Sequence, residues 1–237
     1  MIDHLTNEKK RVPLSAYVIF VVYTLFFPAV IFLGAGTLRW PMGWWYYGLS
    51  VAATIISRII VARVNLDQLR ERGTSMSADN AKSWDRTLSM LVGLVIPVIT
   101  LVVIGLDHRW SWSPVVASWL STLGILLLVL GYSLATWAFI VNQFFSGVVR
   151  IQVDRGHFVI SAGPYGFVRH PGYLGGLISI IATPIMLGTL WGLVPVAVYI
   201  AVLVMRTALE DRTLQEELPG YREYSQRTRY RLLPGVW

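Results

Sequence analysis

Four runs of mostly apolar sequence, at residues 14–34, 42–61, 88–106 and 115–141, set what this chain can fold into. Each holds roughly twenty residues, the number an α-helix needs to cross a hydrocarbon layer of ~30 Å. No water reaches backbone amides there, so a crossing segment must satisfy them within itself, as a helix does. A fifth apolar region, residues 172–205, is broken by Pro184, Gly188, Gly192 and Pro195, and that punctuation predicts two tightly joined helices in place of one. The expected fold is all-α: a polytopic membrane helix bundle of about six spans, the last two a helical hairpin. Pro97 predicts a kink in the third span.

Hydrophobic residues make up 55% of the 237 residues and charged ones 14%, more apolar surface than one soluble core can hide. The run after residues 1–11 is too long for a removable signal peptide and has no small-residue cleavage site, so the first span reads as an anchor. Zero cysteines exclude disulfides, thiolate metal sites, a catalytic thiol and palmitoylation. The four histidines are scattered, none at ligand spacing with another, so no metal site is expected.

A net charge of +7 raises nucleic acid as a partner, but the basic residues flank apolar spans and no nucleic-acid-binding signature accompanies them. Membrane lipids with anionic headgroups are the expected partner instead. Arg39 and Arg109 fall in loops on one side, whereas Lys9, Lys10, Arg63, Arg70, Arg72, Lys82, Arg86, Arg150, Arg155 and the later arginines fall on the other. That asymmetry places both termini in the cytoplasm. Residues 63–86 read as a cytoplasmic polar loop, and Ile151-Gln152-Val153, within the longest polar connection, as a strand or an interfacial turn. Residues 207–226 read as a charged amphipathic helix interrupted at Pro219-Gly220. No repeat or linker appears, so residues 1–237 are taken as one membrane domain: a four-span bundle at 1–141 and a chemistry-bearing region at 142–237.

That region contains Gly163-Pro164-Tyr165-Gly166-Phe167-Val168-Arg169-His170-Pro171-Gly172-Tyr173-Leu174-Gly175. A proline just inside a helix start presets the backbone at no hydrogen-bond cost, so Pro171 reads as the first helical residue. Free N–H groups at Gly172 and Tyr173, the helix dipole, and the side chains of Arg169 and His170 together favour an anion. Gly172 and Gly175 keep that face bare for a flat ligand. The plain alternative is a helix cap beside an interfacial arginine.

This block is followed by Glu210-Asp211, by Tyr221 and Tyr224, and by Arg229-Tyr230-Arg231-Leu232-Leu233-Pro234. In that order the blocks resemble the isoprenylcysteine carboxyl methyltransferase family, which is similar in turn to the phospholipid N-methyltransferases. The resemblance runs from the Asn142-Gln143-Phe144-Phe145-Ser146 segment to Trp237, and residues 1–140 resemble only a generic membrane bundle. It implies an integral membrane, S-adenosylmethionine-dependent methyltransferase with a cytoplasmic C-terminal cofactor pocket. The acceptor it implies is a lipophilic small molecule or lipidated substrate, with a prenylcysteine-like carboxylate favoured. The Arg-His-Pro block and the acidic pair after the final membrane helix line the pocket in that family; here the second acid is Asp211 where Glu is common, which shortens its reach.

The cofactor's carboxylate, ammonium, ribose and adenine call for one cationic site, one anionic site and apolar walls. His170, Arg169 and the helix start at Pro171 suit the carboxylate, and Glu210, with Asp211 second, suits the ammonium or ribose. Tyr165, Tyr173 and Tyr221 are candidates to wall the adenine or bond the ribose. Arg206 or Arg229 would orient an acceptor carboxylate, which is ionised at neutral pH and needs no general base. An amine acceptor would instead need one, such as His170 or Glu210. Asn142, Arg150 and His157 read either as pocket-closing residues or as plain loop, and Glu216 and Glu217 as a solvated helix face. The alternatives are a phospholipid-amine or thiol methyltransferase, an NADPH-dependent sterol-type reductase, or a non-enzymatic membrane carrier or assembly protein.

Overall fold

A computed structural model describes residues 14–64 and 80–237. The expectations for residues 1–13 and for most of the polar loop, residues 65–79, lie outside the described residues. Eight α-helices are described: α1 (Leu14–Ala35), α2 (Pro41–Val64), α3 (Ser83–Met90), α4 (Ile96–Trp110), α5 (Ser118–Val141), α6 (Pro171–Leu187), α7 (Leu193–Glu217) and α8 (Tyr221–Arg227). No strand occurs among the described residues, and Ile151-Gln152-Val153 leads into a short 3-10 turn, Val153–Arg155. Four segments are long and apolar enough to cross a membrane: Pro41–Val64, Ser83–Trp110, Ser118–Val141 and Leu190–Glu217. Phe20–Ala35 and Pro171–Leu187 are shorter apolar helices. Ile55, Ile56 and Ile59 on α2 and Leu126, Val129 and Leu130 on α5 point outward, as a lipid-facing surface requires.

A π turn, Leu91–Val95, joins α3 to α4 just ahead of Pro97. Proline lacks the N–H that would continue the ladder, and one wider turn absorbs the defect without ending the span. The loop expected at residues 107–114 is shorter than that, because α4 continues to Trp110. Buried Asp107 closes that end: its carboxylate accepts from Ser113 N–H at 2.8 Å, Ser113 Oγ at 2.6 Å and Trp191 N–H at 3.2 Å. Between α6 and α7, Gly188 at φ 67° supplies the left-handed turn that a side chain would resist, and a 3-10 turn, Leu190–Gly192, follows. α7 runs unbroken from apolar span into charged sequence and stops at Glu217, before Pro219-Gly220.

Fully buried Ile31, Ile104, Leu128 and Met186 join α1, α4, α5 and α6 in the main core. Helices approach most closely where glycines remove the side chain, the usual device where lipid offers no hydrophobic drive for association. A Cβ on Gly175 of α6 would lie 2.6 Å from both Gly131 O and Ala135 N of α5, and one on Gly124 would lie 2.4 Å from Met186 N. Gly175 therefore serves helix packing and not the ligand face expected of it. Gly175→Val should lower stability by about 1–3 kcal/mol through overpacking, read as a lower melting temperature in detergent. An unchanged melting temperature would contradict this contact.

Candidate active site

A cleft open to solvent lies between two walls. One wall is helical, with His170, Gly172 and Tyr173 from the start of α6, Glu210, Leu214 and Leu218 from the end of α7, and Tyr221 and Tyr224 from α8. The other is the connection between α5 and α6, with Asn142, Phe144 to Ser146, Val148 to Arg150, His157 to Ile160 and Tyr165.

The helical wall is built on Asp211, whose side chain is 0% exposed. Arg169 meets it with two bonds, Nε to Oδ1 at 2.7 Å and Nη2 to Oδ2 at 2.9 Å. Arg231 Nε at 2.8 Å, Gln215 Nε2 at 2.8 Å and Tyr221 Oη at 3.0 Å complete the shell. Arg169 Nη1 donates in addition to the carbonyls of Ser225, Thr228 and Arg229. The main chain follows: Arg169 N–H bonds Tyr230 O and His170 N–H bonds Arg231 O. Arg169 touches the cleft, but its guanidinium is engaged by Asp211 and the C-terminal segment. Asp211 lies beneath the wall and does not line the cleft.

His170 is 6% exposed, and its Nε2 sits 3.5 Å from Asp211 Oδ1, within ion-pair reach but without a hydrogen bond. Its ring lies parallel to that of Tyr173, 5.6 Å away. The N–H groups of Tyr173 and Leu174 both donate to His170 O at 3.1 Å, so the Tyr173 amide expected to be free for an anion is used within the turn. Tyr173 Oη donates to the carboxylate of Glu210, which is half-buried at the cleft. Of the acidic pair, Glu210 faces the cleft and Asp211 the interior.

Arg206 and Arg229 are not among the cleft-lining residues. Arg206 is 5% exposed, pairs with Asp85 at 2.7 Å and lies over the Tyr173 ring at 5.1 Å. Arg229 is exposed, and its carbonyl serves Arg169. Pro171 is buried at the first position of α6. Asn142, Arg150 and His157 all stand on the connecting wall, so the pocket-lining alternative for them agrees with the geometry. Asn142 Nδ2 donates to Tyr165 Oη at 3.1 Å, and Arg150 Nη1 to Asn80 and Asp154. Glu216 pairs with Arg212 and Glu217 with Lys82 on the outside, as a solvated face should.

Asp85, 0% exposed, is the residue that sequence reasoning passed over, together with the apolar wall of Phe158, Leu214 and Leu218. An acid at the edge of a polar stretch gives no local sign that it is buried. Burial raises the phenols of Tyr165, Tyr221 and Tyr224, which therefore remain neutral hydrogen-bonding groups.

His157 accepts the Gln152 N–H on Nδ1 and packs on Phe144 at 4.5 Å. Burial, then the nearby charges of Arg155 and Arg150, push its pKa down from 6.5 to about 4. The fold thus favours neutral His157, and this contribution to stability is complete above pH 6.5 and lost as pH falls towards 4. His157→Gln should show a shallower fall in melting temperature across that window. Identical pH profiles would contradict the burial of a neutral imidazole.

Both walls, apart from Tyr221 and Tyr224 of α8, fall within residues 119–219, which match the phospholipid methyltransferase family. The cobalt-zinc-cadmium resistance protein CzcN of Cupriavidus metallidurans is 30% identical over 162 residues, 66% of this chain and 67% of that protein. Protein-S-isoprenylcysteine O-methyltransferase B of Arabidopsis thaliana is 29% identical over 149 residues, 59% of this chain and 69% of the plant protein. Delta(14)-sterol reductase TM7SF2 of Mus musculus is 36% identical over 96 residues, but these cover 39% of this chain and 23% of the reductase. With long apolar helices and a mixed polar and aromatic cleft inside the matched region, the chain belongs to the isoprenylcysteine carboxyl methyltransferase-like family of membrane methyltransferases.

Proposed function

We propose that this protein is an integral membrane, S-adenosylmethionine-dependent methyltransferase whose acceptor is lipophilic, with a prenylcysteine-like carboxylate favoured. The observation that carries the reading is that one cleft is lined by an imidazole, a half-buried carboxylate and aromatic rings: His170, Glu210, Tyr165 and Tyr173. The residues present fit the cofactor. His170 would hold its carboxylate, Glu210 its ammonium or ribose, and Tyr165, Tyr173, Tyr221 and the connecting-wall phenylalanines its adenine.

Bound there, S-adenosylmethionine supplies a methyl carbon already activated by a sulfonium. The chain's own work is to bind, align and exclude water. Arg169 and Asp211 act as scaffold, since Asp211 is bonded by both Arg169 and Arg231. For the acceptor carboxylate the reading shifts from Arg206 and Arg229 to Arg150 on the connecting wall, which lines the cleft and also bonds Asn80 and Asp154. A nicotinamide-dependent reductase would need cations for its phosphates, and the Arg169 guanidinium is engaged by Asp211.

In the membrane, we assign about six crossings with α6 and α7 as the final hairpin, within one domain, from hydropathy and helix length. The basic excess around Arg150, Arg155, Arg212 and Arg222 supports a cytoplasmic location for the cleft and both termini, where a soluble cofactor is at hand. The acceptor's tail then stays in the bilayer while its head reaches the cleft at interface depth. Calorimetry with S-adenosylmethionine in nanodiscs should show binding by wild type and affinity lower by roughly tenfold or more in both His170→Ala and Glu210→Gln. Absence of binding by wild type, or equal affinity in all three proteins, would contradict the assignment.

A further inference from the structure

We infer that Asp85, acting through Arg206, is a positioning residue that fixes the gap between the two walls of the cleft. The inference rests on reading that cleft as the cofactor site, but its first observation does not. Asp85 belongs to α3, before the family-matched residues 119–219. Its carboxylate is completely buried and takes four bonds: Arg206 Nε at 2.7 Å, Arg206 Nη2 at 3.1 Å, Ser89 Oγ at 2.9 Å and Val149 N–H at 2.6 Å. Arg206 Nη2 also donates to Gly147 O at 3.1 Å, and Lys82 N–H donates to Val149 O at 3.0 Å. The main chain of the connecting wall is thus held at Gly147 and at both polar groups of Val149. The neighbouring side chains, Ser146, Val148, Val149 and Arg150, line the cleft.

Arg206 reaches the opposite wall as well. Its guanidinium lies over the Tyr173 ring at 5.1 Å, and the Tyr173 hydroxyl holds Glu210. One buried ion pair therefore touches the backbone of one wall and the Glu210-bearing side of the other. Loss of the Asp85 charge leaves buried Arg206 without its ion pair, and an amide there has one oxygen to accept the bonds that two now take. The wall at residues 144–150 is then free to move relative to Tyr173, with a misplacement small in distance and large in effect.

Two variants test this. Asp85→Asn keeps the shape of the acid, and Arg206→Lys keeps the charge but cannot span Asp85 and Gly147 together. Hydrogen exchange of the ligand-free protein should be faster at residues 144–150 in both, with the centre of α5 unchanged. The dissociation constant for S-adenosylmethionine should rise on the order of tenfold. A third variant, Asp85→Leu with Arg206→Met, replaces the pair by apolar groups and should recover the melting temperature without recovering affinity. Wild-type exchange at residues 144–150 in both single variants would overturn the proposal, as would acceleration spread equally through α5 and α6, or recovery of affinity together with stability. If wild type binds no S-adenosylmethionine, the cofactor reading fails and the exchange measurement still decides whether Asp85 holds the wall.

Discussion

Asp211 is a carboxylate with no exposure to water, and the rest of the site is arranged around that fact. Burying an unpaired ion costs several kcal/mol, so it must be met by charges and donors of matching geometry. Arg169 supplies a two-bond pair from just before α6, and Arg231 another cation from beyond α8. Satisfying one acid therefore ties together the start of one helix, the end of another and the C-terminal segment. His170 follows Arg169 directly, and its amide is bonded to Arg231 O, so its position is set by the same network. Its Nε2 stands 3.5 Å from Asp211 Oδ1, so the same carboxylate also faces the imidazole.

Arg206 of α7 forms a second buried pair with Asp85 of α3, and along α7 Glu210 lies between Arg206 and Asp211. The residue that faces the cleft is thus flanked on its own helix by residues that are bonded to other elements. A carboxylate supported in this way offers a fixed partner to a cation or hydroxyl, and it needs little rearrangement on binding. The aromatic wall opposite, with Phe144, Phe145 and Phe158, supplies area for a flat ring and for an apolar tail. A preorganised cleft at the end of long apolar helices suits transfer between a water-soluble donor and a lipid-borne acceptor.

Much of the helical frame was legible because membrane spans are written in long apolar runs. The first span, expected at residues 14–34, forms Leu14–Ala35, and the second, expected at 42–61, forms Pro41–Val64. Pro97 marked an interruption that takes the form of a π turn. The chemistry-bearing block was legible as a cluster of residue types, but the facing of each residue was not. Successive residues on an α-helix point about 100° apart, so adjacent Glu210 and Asp211 turn to cleft and interior, and only the packed helix sets which does which. The same applies to Gly175, whose missing side chain admits α5. Asp85 was out of reach for a different reason: its partner Arg206 is 121 residues away, and nothing local distinguishes a buried acid from a solvated one.

The most direct test of the account is methyl transfer by the purified protein in nanodiscs, using radiolabelled S-adenosylmethionine and S-farnesylcysteine carrying a blocked amine. The account predicts label in an ester that releases volatile methanol on treatment with base, and much weaker transfer to the corresponding cysteine derivative with a short tail. Each buried methylene contributes about 0.8 kcal/mol, so a tail held in the bilayer should dominate the difference. Label that resists base, equal transfer to the short soluble acceptor, or no transfer at all would contradict it.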